Sequence, residues 1–332
     1  MTTCTDAWES LRGDPLPWLL DPHRPNLHWR VLVELVRRPA QSPAVVRARG
    51  GSDAVDPVAS LIEDLHPDGS WASDVPLWLP YAGPGWRMLA AIQWGANPTD
   101  PRLQAAAEVL LETAPGEGGF ARREGGRVVP WLTARVLHGL AELGWCRHPR
   151  FQEGLAWLED GEANHPDGGW RAVGRQSGTG ECAVTAVALL GALSACIDRP
   201  RQVLRERAVD SLGRISGTAG TVPARCGHPC LGRTDEAELL WALARAGVPL
   251  EPGLVRALMR LQLRQLEGGR WRRDIPLPKS LGIEIDGATS GSSRWVTLKC
   301  VVALMAYAVE AQLPRMYPQK PVPPTHPVIS DQ

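Results

Sequence analysis

A glycine-rich turn recurs along the chain at a nearly constant interval of about 50 residues. The turns lie at 68–71, 117–120, 167–170, 217–220 and 267–271, and all except the fourth carry a Trp or Phe at their end. Prolines suited to open a helix recur in the same register, at Pro57, Pro101, Pro149, Pro200 and Pro252. Two independent markers that share one period predict a repeat architecture.

The period that runs from 101 to 144 indicates what one repeat contains. Pro101 suits the first position of a helix, and apolar residues follow it at helical spacing up to the turn at 118–119. A second apolar pattern begins at Pro130 and ends at Gly144, a residue typical of helix ends. Each repeat is therefore predicted to be a helical hairpin.

The same interpretation extends over the rest of the chain. Helix pairs are predicted at 57–65 with 84–95, 149–159 with 181–196, 201–214 with 234–246, and 252–265 with 294–312, after single helices near 27–38 and 43–49. Alternating β patterns are absent, so the predicted class is all-α. One domain is expected over 1–313, with N-terminal helices in 1–50, repeats in 51–313 and a proline-rich tail at 314–332.

The two helices of a repeat differ in character. The segment 182–193 is apolar on every side, whereas 201–214 carries several arginines. A helix that is apolar all round is buried, so the second helices should form an inner layer and the first helices an outer one. The long connections inside the hairpins would then share one rim, which is the expected working face.

Composition excludes several functional classes. The net charge is zero and basic residues are spread along the chain, so no nucleic-acid partner is expected. The N-terminus lacks a signal pattern, and the longest apolar stretch, 183–197, is too short to cross a bilayer. These features predict a soluble, cytoplasmic protein. Because the seven cysteines are odd in number, no disulfide framework is expected.

The repeat resembles that of a known group of proteins. The turns, together with the inner-helix opening PWLTA at 130–134, resemble the QW repeats of terpenoid cyclases and the repeats of protein prenyltransferase β subunits. The segments PWLLDP at 17–22 and SRWVTL at 293–298 are similar to stand-alone bacterial squalene-cyclase-like proteins. The resemblance covers about 50–312. It implies an α/α toroid of about six helical hairpins whose inner helices surround a central cavity.

The sequence departs from both activities known in this group. Cyclases of the squalene-hopene type start reaction with an acid in an Asp-x-Asp-Asp motif, which this chain lacks; the nearest position holds Glu181. Protein prenyltransferases bind zinc through Asp, Cys and a later His, but the last histidine inside the predicted fold is His228. That ligand set is therefore not matched.

Carboxylates near the inner-helix openings are the candidate catalytic residues. They are Glu181, Asp235 and Glu238. A carboxyl group buried in an apolar cavity has a raised pKa and can serve as a general acid. Helix capping is the alternative role for Asp235 and Glu236. Glu181 is the stronger candidate because its helix is otherwise apolar.

Tryptophan is unusually frequent, with fourteen in the chain. Aromatic faces stabilise cations, which would suit a cavity that holds a carbocation. Trp71, Trp170 and Trp271 are interpreted as structural anchors of the turns. The residues expected to bind substrate are Trp86, Trp131, Thr133, Cys182, Thr185, Trp241 and Trp295.

The segment Cys226-Gly227-His228-Pro229-Cys230 is a candidate metal site. If it is extended, Cys226, His228 and Cys230 point the same way, and thiolate and imidazole are ligands that zinc prefers. A disulfide between the two cysteines and an apolar loop with an incidental histidine are the alternatives.

Three functions are compatible with these patterns. The first is acid-initiated cyclisation or rearrangement of an isoprenoid or other apolar substrate in a Trp-lined cavity. The second is zinc-dependent prenyl or alkyl transfer at 226–230. The third is a non-catalytic toroid that binds a lipid or a partner protein. The expected substrate is a hydrophobic, isoprenoid-like small molecule, and contact with a membrane surface is compatible with it.

Overall fold

The chain folds as a set of α-helices in the computed structural model, which describes residues 7–51, 57–72, 75–112, 118–123, 125–160, 170, 183–196, 201–217, 222–250, 252–281, 283, 286, 291–308 and 311–313. The helices are α1 Leu16–Leu19, α2 Pro25–Glu34, α3 Pro43–Gly50, α4 Pro57–Leu61, α5 Pro84–Gln93, α6 Pro101–Glu112, α7 Pro130–Glu142, α8 Pro149–Glu159, α9 Ala183–Ala195, α10 Gln202–Gly217, α11 Glu236–Arg245, α12 Pro252–Leu263 and α13 Arg294–Tyr307. Within these ranges only isolated β-bridges occur, and no strand. The all-α class is confirmed.

Six helices form a closed inner ring. Helix α5 packs on α7, α7 on α9, α9 on α11, α11 on α13, and α13 on α2. The ring closes where the indole of Trp29, on α2, donates a 2.8 Å hydrogen bond from Nε1 to the carbonyl of Gly95, just after α5. The ring confirms the predicted α/α toroid with inner and outer layers.

The outer helices cover the seams of this ring. Helix α8 packs on α7, α10 on α9, and α12 on both α11 and α13. The inner helices are the more apolar ones, as expected: α7 and α9 are buried on nearly every side. None of the helices in the described part of the chain is long and apolar enough to span a membrane.

The glycine-rich turns attach each hairpin to its neighbours. The indole Nε1 of Trp170 donates a hydrogen bond to the carbonyl of Leu158 at 2.9 Å, and the indole Nε1 of Trp271 donates one to the carbonyl of Leu261 at 2.8 Å. Each tryptophan is therefore bound to the outer helix that precedes its turn. Gly69 has a φ of +83°, and a Cβ there would meet the backbone of Ala105 in α6. Glycine is needed at this position because of both the left-handed backbone and the close approach.

A threonine of the inner helix completes the same turn. The backbone N–H of Phe120 donates to Thr133 Oγ1 at 2.9 Å, and that of Trp271 donates to Thr297 Oγ1 at 3.0 Å. The repeat therefore holds a hydrogen bond between each of these turns and the helix that follows it. Thr133, predicted to bind substrate, has this structural role in the described structure.

The N-terminal segment 17–22 and the segment 293–298 contact each other. Arg294, at the start of α13, donates to Asp21 Oδ2 at 3.2 Å and to the Trp18 carbonyl at 3.3 Å. Its guanidinium also lies 4.6 Å from the centre of the Trp18 ring. The N-terminal segment is thus tied to the last repeat, beside the point where the ring closes.

One disulfide departs from the sequence-based expectation. Cys146 and Cys196 are joined, with Cα atoms 5.7 Å apart and a separation of 50 residues. They follow α7 and α9 at equivalent positions of successive repeats, and these two helices pack closely. An odd number of cysteines excludes pairing of all of them, but it does not exclude one disulfide. Cys146 and Cys196 are one repeat period apart, and the stacking of successive repeats places their thiols side by side.

Candidate functional site

A cavity of about 40 Å³ lies at the centre of the ring and is lined by α2, α5, α7, α11, α13 and the loop before α11. This volume accommodates roughly three water molecules. Its lining combines apolar side chains with many charged or titratable ones. The apolar ones are Leu89, Ile92, Trp241, Trp295 and Leu298, and the charged or titratable ones are Arg30, Glu34, Arg135, His138, Glu142, His228, Glu238 and Lys299.

The first ionic group joins α7 to α11. Arg135 Nη1 lies 2.6 Å from Glu238 Oε1, and both side chains are almost fully buried. Burial raises the pKa of Glu238, but Arg135 and Lys299 outweigh this effect, and the net pKa is lowered. Glu238 is therefore held as a carboxylate, which does not suit a general acid.

The second ionic group centres on Glu142, at the end of α7. Its carboxylate lies 2.6 Å from Arg30, 2.8 Å from Arg245 and 3.6 Å from His138 Nε2. Burial raises the pKa of Glu142, but the two arginines outweigh it and the pKa lies well below the ordinary value. This group ties α2, α7 and α11 together across the ring.

Trp241 connects the two ionic groups. Its Nε1 donates to Glu34 Oε2 at 2.7 Å. The guanidinium of Arg245 lies 4.7 Å and the ammonium of Lys299 5.4 Å from the centre of the Trp241 aromatic ring, within the range of cation–π attraction. Trp241 lines the cavity, as predicted, and cations of the protein itself already contact it.

His228 is held firmly at the cavity wall. Its Nε2 lies 3.1 Å from the backbone carbonyl of Gln93, and its ring stacks on Trp295 with centres 5.0 Å apart and an interplanar angle of 8°. The side chain of Gln93 bonds both backbone groups of Cys230, accepting at 2.8 Å and donating at 3.1 Å. Helix α5 thereby fixes the loop before α11.

Asp235 has the capping role that was the alternative to catalysis. Its Oδ1 accepts from the Glu238 N–H at 2.9 Å, and its Oδ2 accepts from the Gly227 N–H at 2.8 Å. Burial and the neighbouring Glu238 raise its pKa. The carboxyl group is completely buried, is engaged by backbone, and is not part of the cavity lining. Glu236 instead pairs with Arg260 of α12.

The remaining predicted residues divide into three sets. Trp86 and Trp131 stack on each other with centres 6.0 Å apart, beside Trp78 and Tyr81, and neither belongs to the cavity lining. Thr185 is buried, and its hydroxyl has no partner within the described ranges. Glu181 and Cys182 lie outside the described residues.

The candidate zinc ligands do not form a metal site in the described part of the chain. No group of three His, Cys, Asp or Glu side chains there could hold a metal ion. Cys230 Sγ is 3.6 Å from both Asp235 Oδ2 and Lys299 Nζ, whereas His228 bonds the carbonyl of Gln93. Since the side chains have separate partners, the zinc hypothesis has no support in this geometry.

Sequence reasoning missed the ionic residues of the cavity. Arg135, Glu142 and Lys299 occur in helices that the sequence pattern predicts to be apolar inner helices. A signal was nevertheless present, because a charged residue within an otherwise apolar helix needs a buried partner. Lys299 is in addition one of three lysines in the chain.

Comparison with known proteins finds a likeness only among solved structures. No family model matches the chain, and no curated protein matches it. The apo structure of the type II terpene cyclase MstE from Scytonema aligns with 17% identity over 88% of each chain, with a TM-score of 0.43. A variant of that cyclase in complex with its product, merosterolic acid A, aligns with 13% identity over 77% of this chain and 95% of that one, with a TM-score of 0.30. We draw no conclusion on function from likeness at this level.

Proposed function

We propose that the protein binds an isoprenoid-like amphiphile at the centre of the ring, as a terpenoid-cyclase-like toroid of the stand-alone bacterial squalene-cyclase-like group. The observation that carries this proposal is the mixed lining of the cavity. Trp295 and Leu298 offer apolar surface beside Lys299, Arg135 and His228. Such a lining suits a ligand with one polar end and an apolar body.

The volume of the cavity limits which part of such a ligand fits without a change in the wall. About 40 Å³ has room for a polar end group but not for a prenyl chain. Binding of the chain therefore requires side chains of the wall to move. Trp241 and Trp295 belong to that wall, so binding should change their fluorescence.

Cyclisation is the finer part of the proposal and depends on Glu181. Asp235 is engaged as a helix cap, and Glu238 is held ionised by Arg135. Neither arrangement suits an acid that protonates a double bond. Glu181 therefore stays the proposed general acid, on the sequence argument alone. Binding without chemistry is the reading that the described residues favour.

The test is a binding titration with farnesol, followed by tryptophan fluorescence, together with mass spectrometry of lipids extracted from the purified protein. We expect saturable binding and a co-purified isoprenoid. Trp295→Leu should weaken binding about tenfold, since it removes apolar contact and the stacking partner of His228.

The control is Trp157→Leu. Trp157 is a half-buried residue of outer helix α8 that does not line the cavity, so its replacement should leave the affinity unchanged. Absence of binding by farnesol, farnesyl diphosphate and squalene, with no extracted lipid, would reject the proposal. Equal losses in both tryptophan variants would place the binding site elsewhere.

A further inference from the structure

We infer that His228 offers an uncharged, unpaired hydrogen-bond acceptor in the wall of this cavity and makes it selective for a ligand with a hydroxyl group, an isoprenoid alcohol. This inference rests on the proposed function and narrows its ligand class. It arises from the segment 226–230, whose sequence favours metal binding. The structure gives this histidine a different chemistry.

The tautomer of His228 follows from its partner. Nε2 lies 3.1 Å from the backbone carbonyl of Gln93, and a carbonyl oxygen can only accept. Nε2 therefore carries the proton, and Nδ1 carries a lone pair. Nδ1 is buried and has no hydrogen-bond partner within the described ranges. A buried acceptor without a donor is unfavourable, which a ligand hydroxyl would correct.

The ring is held in place before any ligand arrives. Trp295 stacks on one face, and Trp94 packs against the imidazole at an interplanar angle of 72° with ring centres 6.0 Å apart. The side chain of Gln93 makes two hydrogen bonds to the backbone of Cys230, which is two residues after His228. A binding group that is already immobilised loses little conformational entropy when the ligand binds.

The imidazole is also held neutral. Burial lowers the pKa of His228 well below its usual value, and the charges of Lys299, Arg273 and Arg30 lower it further. A neutral imidazole keeps Nδ1 as an acceptor at neutral pH. His228 is only 3% exposed, so this atom is shielded from bulk solvent.

The same surroundings discriminate between polar end groups. The lining holds three cations and three carboxylates, and its two arginines are already paired with these carboxylates. A charged end group of either sign would therefore add a charge that has no partner of its own. A carboxylate or diphosphate has lone pairs and no proton for Nδ1 at neutral pH, and an ether or hydrocarbon leaves Nδ1 unpaired. An alcohol donates its proton to Nδ1 and carries no charge, so it meets both conditions.

The test compares farnesol with farnesyl methyl ether, which has the same chain but no O–H donor. We expect the wild-type protein to bind farnesol about tenfold more tightly, since one net hydrogen bond is worth about that factor. His228→Phe keeps a ring to stack on Trp295 but removes the acceptor, and should bind both compounds equally. His228→Asn, which retains a short-range acceptor, should recover part of the preference.

His66→Phe is the matched control, because His66 is an exposed residue of the first turn and lies outside the cavity lining. It should keep the wild-type preference. Long-range ¹H–¹⁵N correlation spectra of the wild-type protein provide a readout that needs no ligand and no variant. They should show the His228 proton on Nε2 at pH 7.

The outcomes separate the two proposals. Equal binding of alcohol and ether by the wild-type protein overturns the role of His228 but leaves the proposed function. A preference that persists in His228→Phe assigns the acceptor to another residue. A proton on Nδ1 of His228 also overturns the inference. Binding of neither compound overturns the inference, and it rejects the proposed function as well if farnesyl diphosphate and squalene also fail to bind and no lipid is extracted.

Discussion

At the scale of single residues, Glu142 contacts two arginines and a histidine inside the ring. Replacement by glutamine would leave Arg30 and Arg245 buried without a full counter-charge. Breaking a buried ion pair on one side costs about 3–5 kcal/mol. We expect Glu142→Gln to lower the free energy of unfolding by about that amount in denaturant titrations.

The matched control for this prediction is Glu153→Gln. Glu153 pairs with Arg150 at 3.0 Å, but both side chains are largely exposed. An exposed pair contributes roughly 0–1 kcal/mol. Similar losses in the two variants would show that the interior of the ring does not depend on the charge of Glu142.

Because His138 and His228 are buried, we expect the stability of the fold to depend on pH. Burial lowers the pKa of both His138 and His228 below the usual 6.5, so the unfolded chain binds more protons as the pH falls below about 6.5. The stabilising contribution is complete above pH 6.5 and is lost toward the lower folded-state values. The melting temperature should therefore decline between pH 7 and pH 5, and less steeply in His228→Phe. An identical slope in the variant would contradict the neutral state of His228.

The catalytic hypothesis is tested at Glu181. If the protein cyclises its ligand, Glu181→Gln should reduce turnover by about 10²- to 10⁴-fold and keep the melting temperature within a few degrees. Product analysis by gas chromatography checks this. Asp235→Asn is not an equivalent test, because Asp235 caps α11 and its replacement affects stability. Full activity of Glu181→Gln would remove acid catalysis by this residue.

At the scale of the helices, the disulfide after α7 and α9 is the covalent link between two repeats. Cross-linking over 50 residues is worth about 4 kcal/mol in the chain-entropy model. The double variant Cys146→Ser with Cys196→Ser should lose stability of this order in thermal unfolding. A reductant should bring the wild-type protein to the level of the double variant and leave the variant itself unchanged. A reductant effect on both proteins would point to another oxidised pair.

At the scale of the whole molecule, stability should depend on closure of the ring between α2 and α5. Gly95 has a φ of +73°, and a Cβ there would come within 2.5 Å of the Asn26 carbonyl oxygen and 2.9 Å of Trp295. Gly95→Ala should therefore reduce the free energy of unfolding by several kcal/mol more than Gly247→Ala. Gly247 ends an equivalent inner helix with a φ of +61° and has no atom within 4 Å of its added Cβ.

This pair of variants separates backbone strain from closure of the ring. Both substitutions place alanine in a left-handed conformation, which costs about 1 kcal/mol. Only Gly95→Ala also separates α2 from α5. Equal destabilisation in the two variants, measured by denaturant unfolding, would show that the seam contributes nothing of its own.

Much of the fold was predictable because its determinants are local. The spacing of the glycine turns, the prolines at helix starts and the apolar second helices are all properties of short segments, and they identified the hairpins, the two layers and the anchoring role of Trp170 and Trp271. The ends of predicted and observed helices differ by several residues in both directions, as for 294–312 against Arg294–Tyr307 and 201–214 against Gln202–Gly217. Periodicity locates the body of a helix better than its ends.

The centre of the ring was decided by tertiary structure. Arg135 and Glu238 are 103 residues apart, and they meet because each helix is rotated about its axis by packing against its neighbours. The sequence places both on inner helices but contains no measure of that rotation. The rotation of the helices also explains why Trp241 and Trp295 line the cavity whereas Trp86 and Trp131 do not. The sequence by itself determined which segments form helices and which of them are buried, while only the closed ring determined which side chains share its interior.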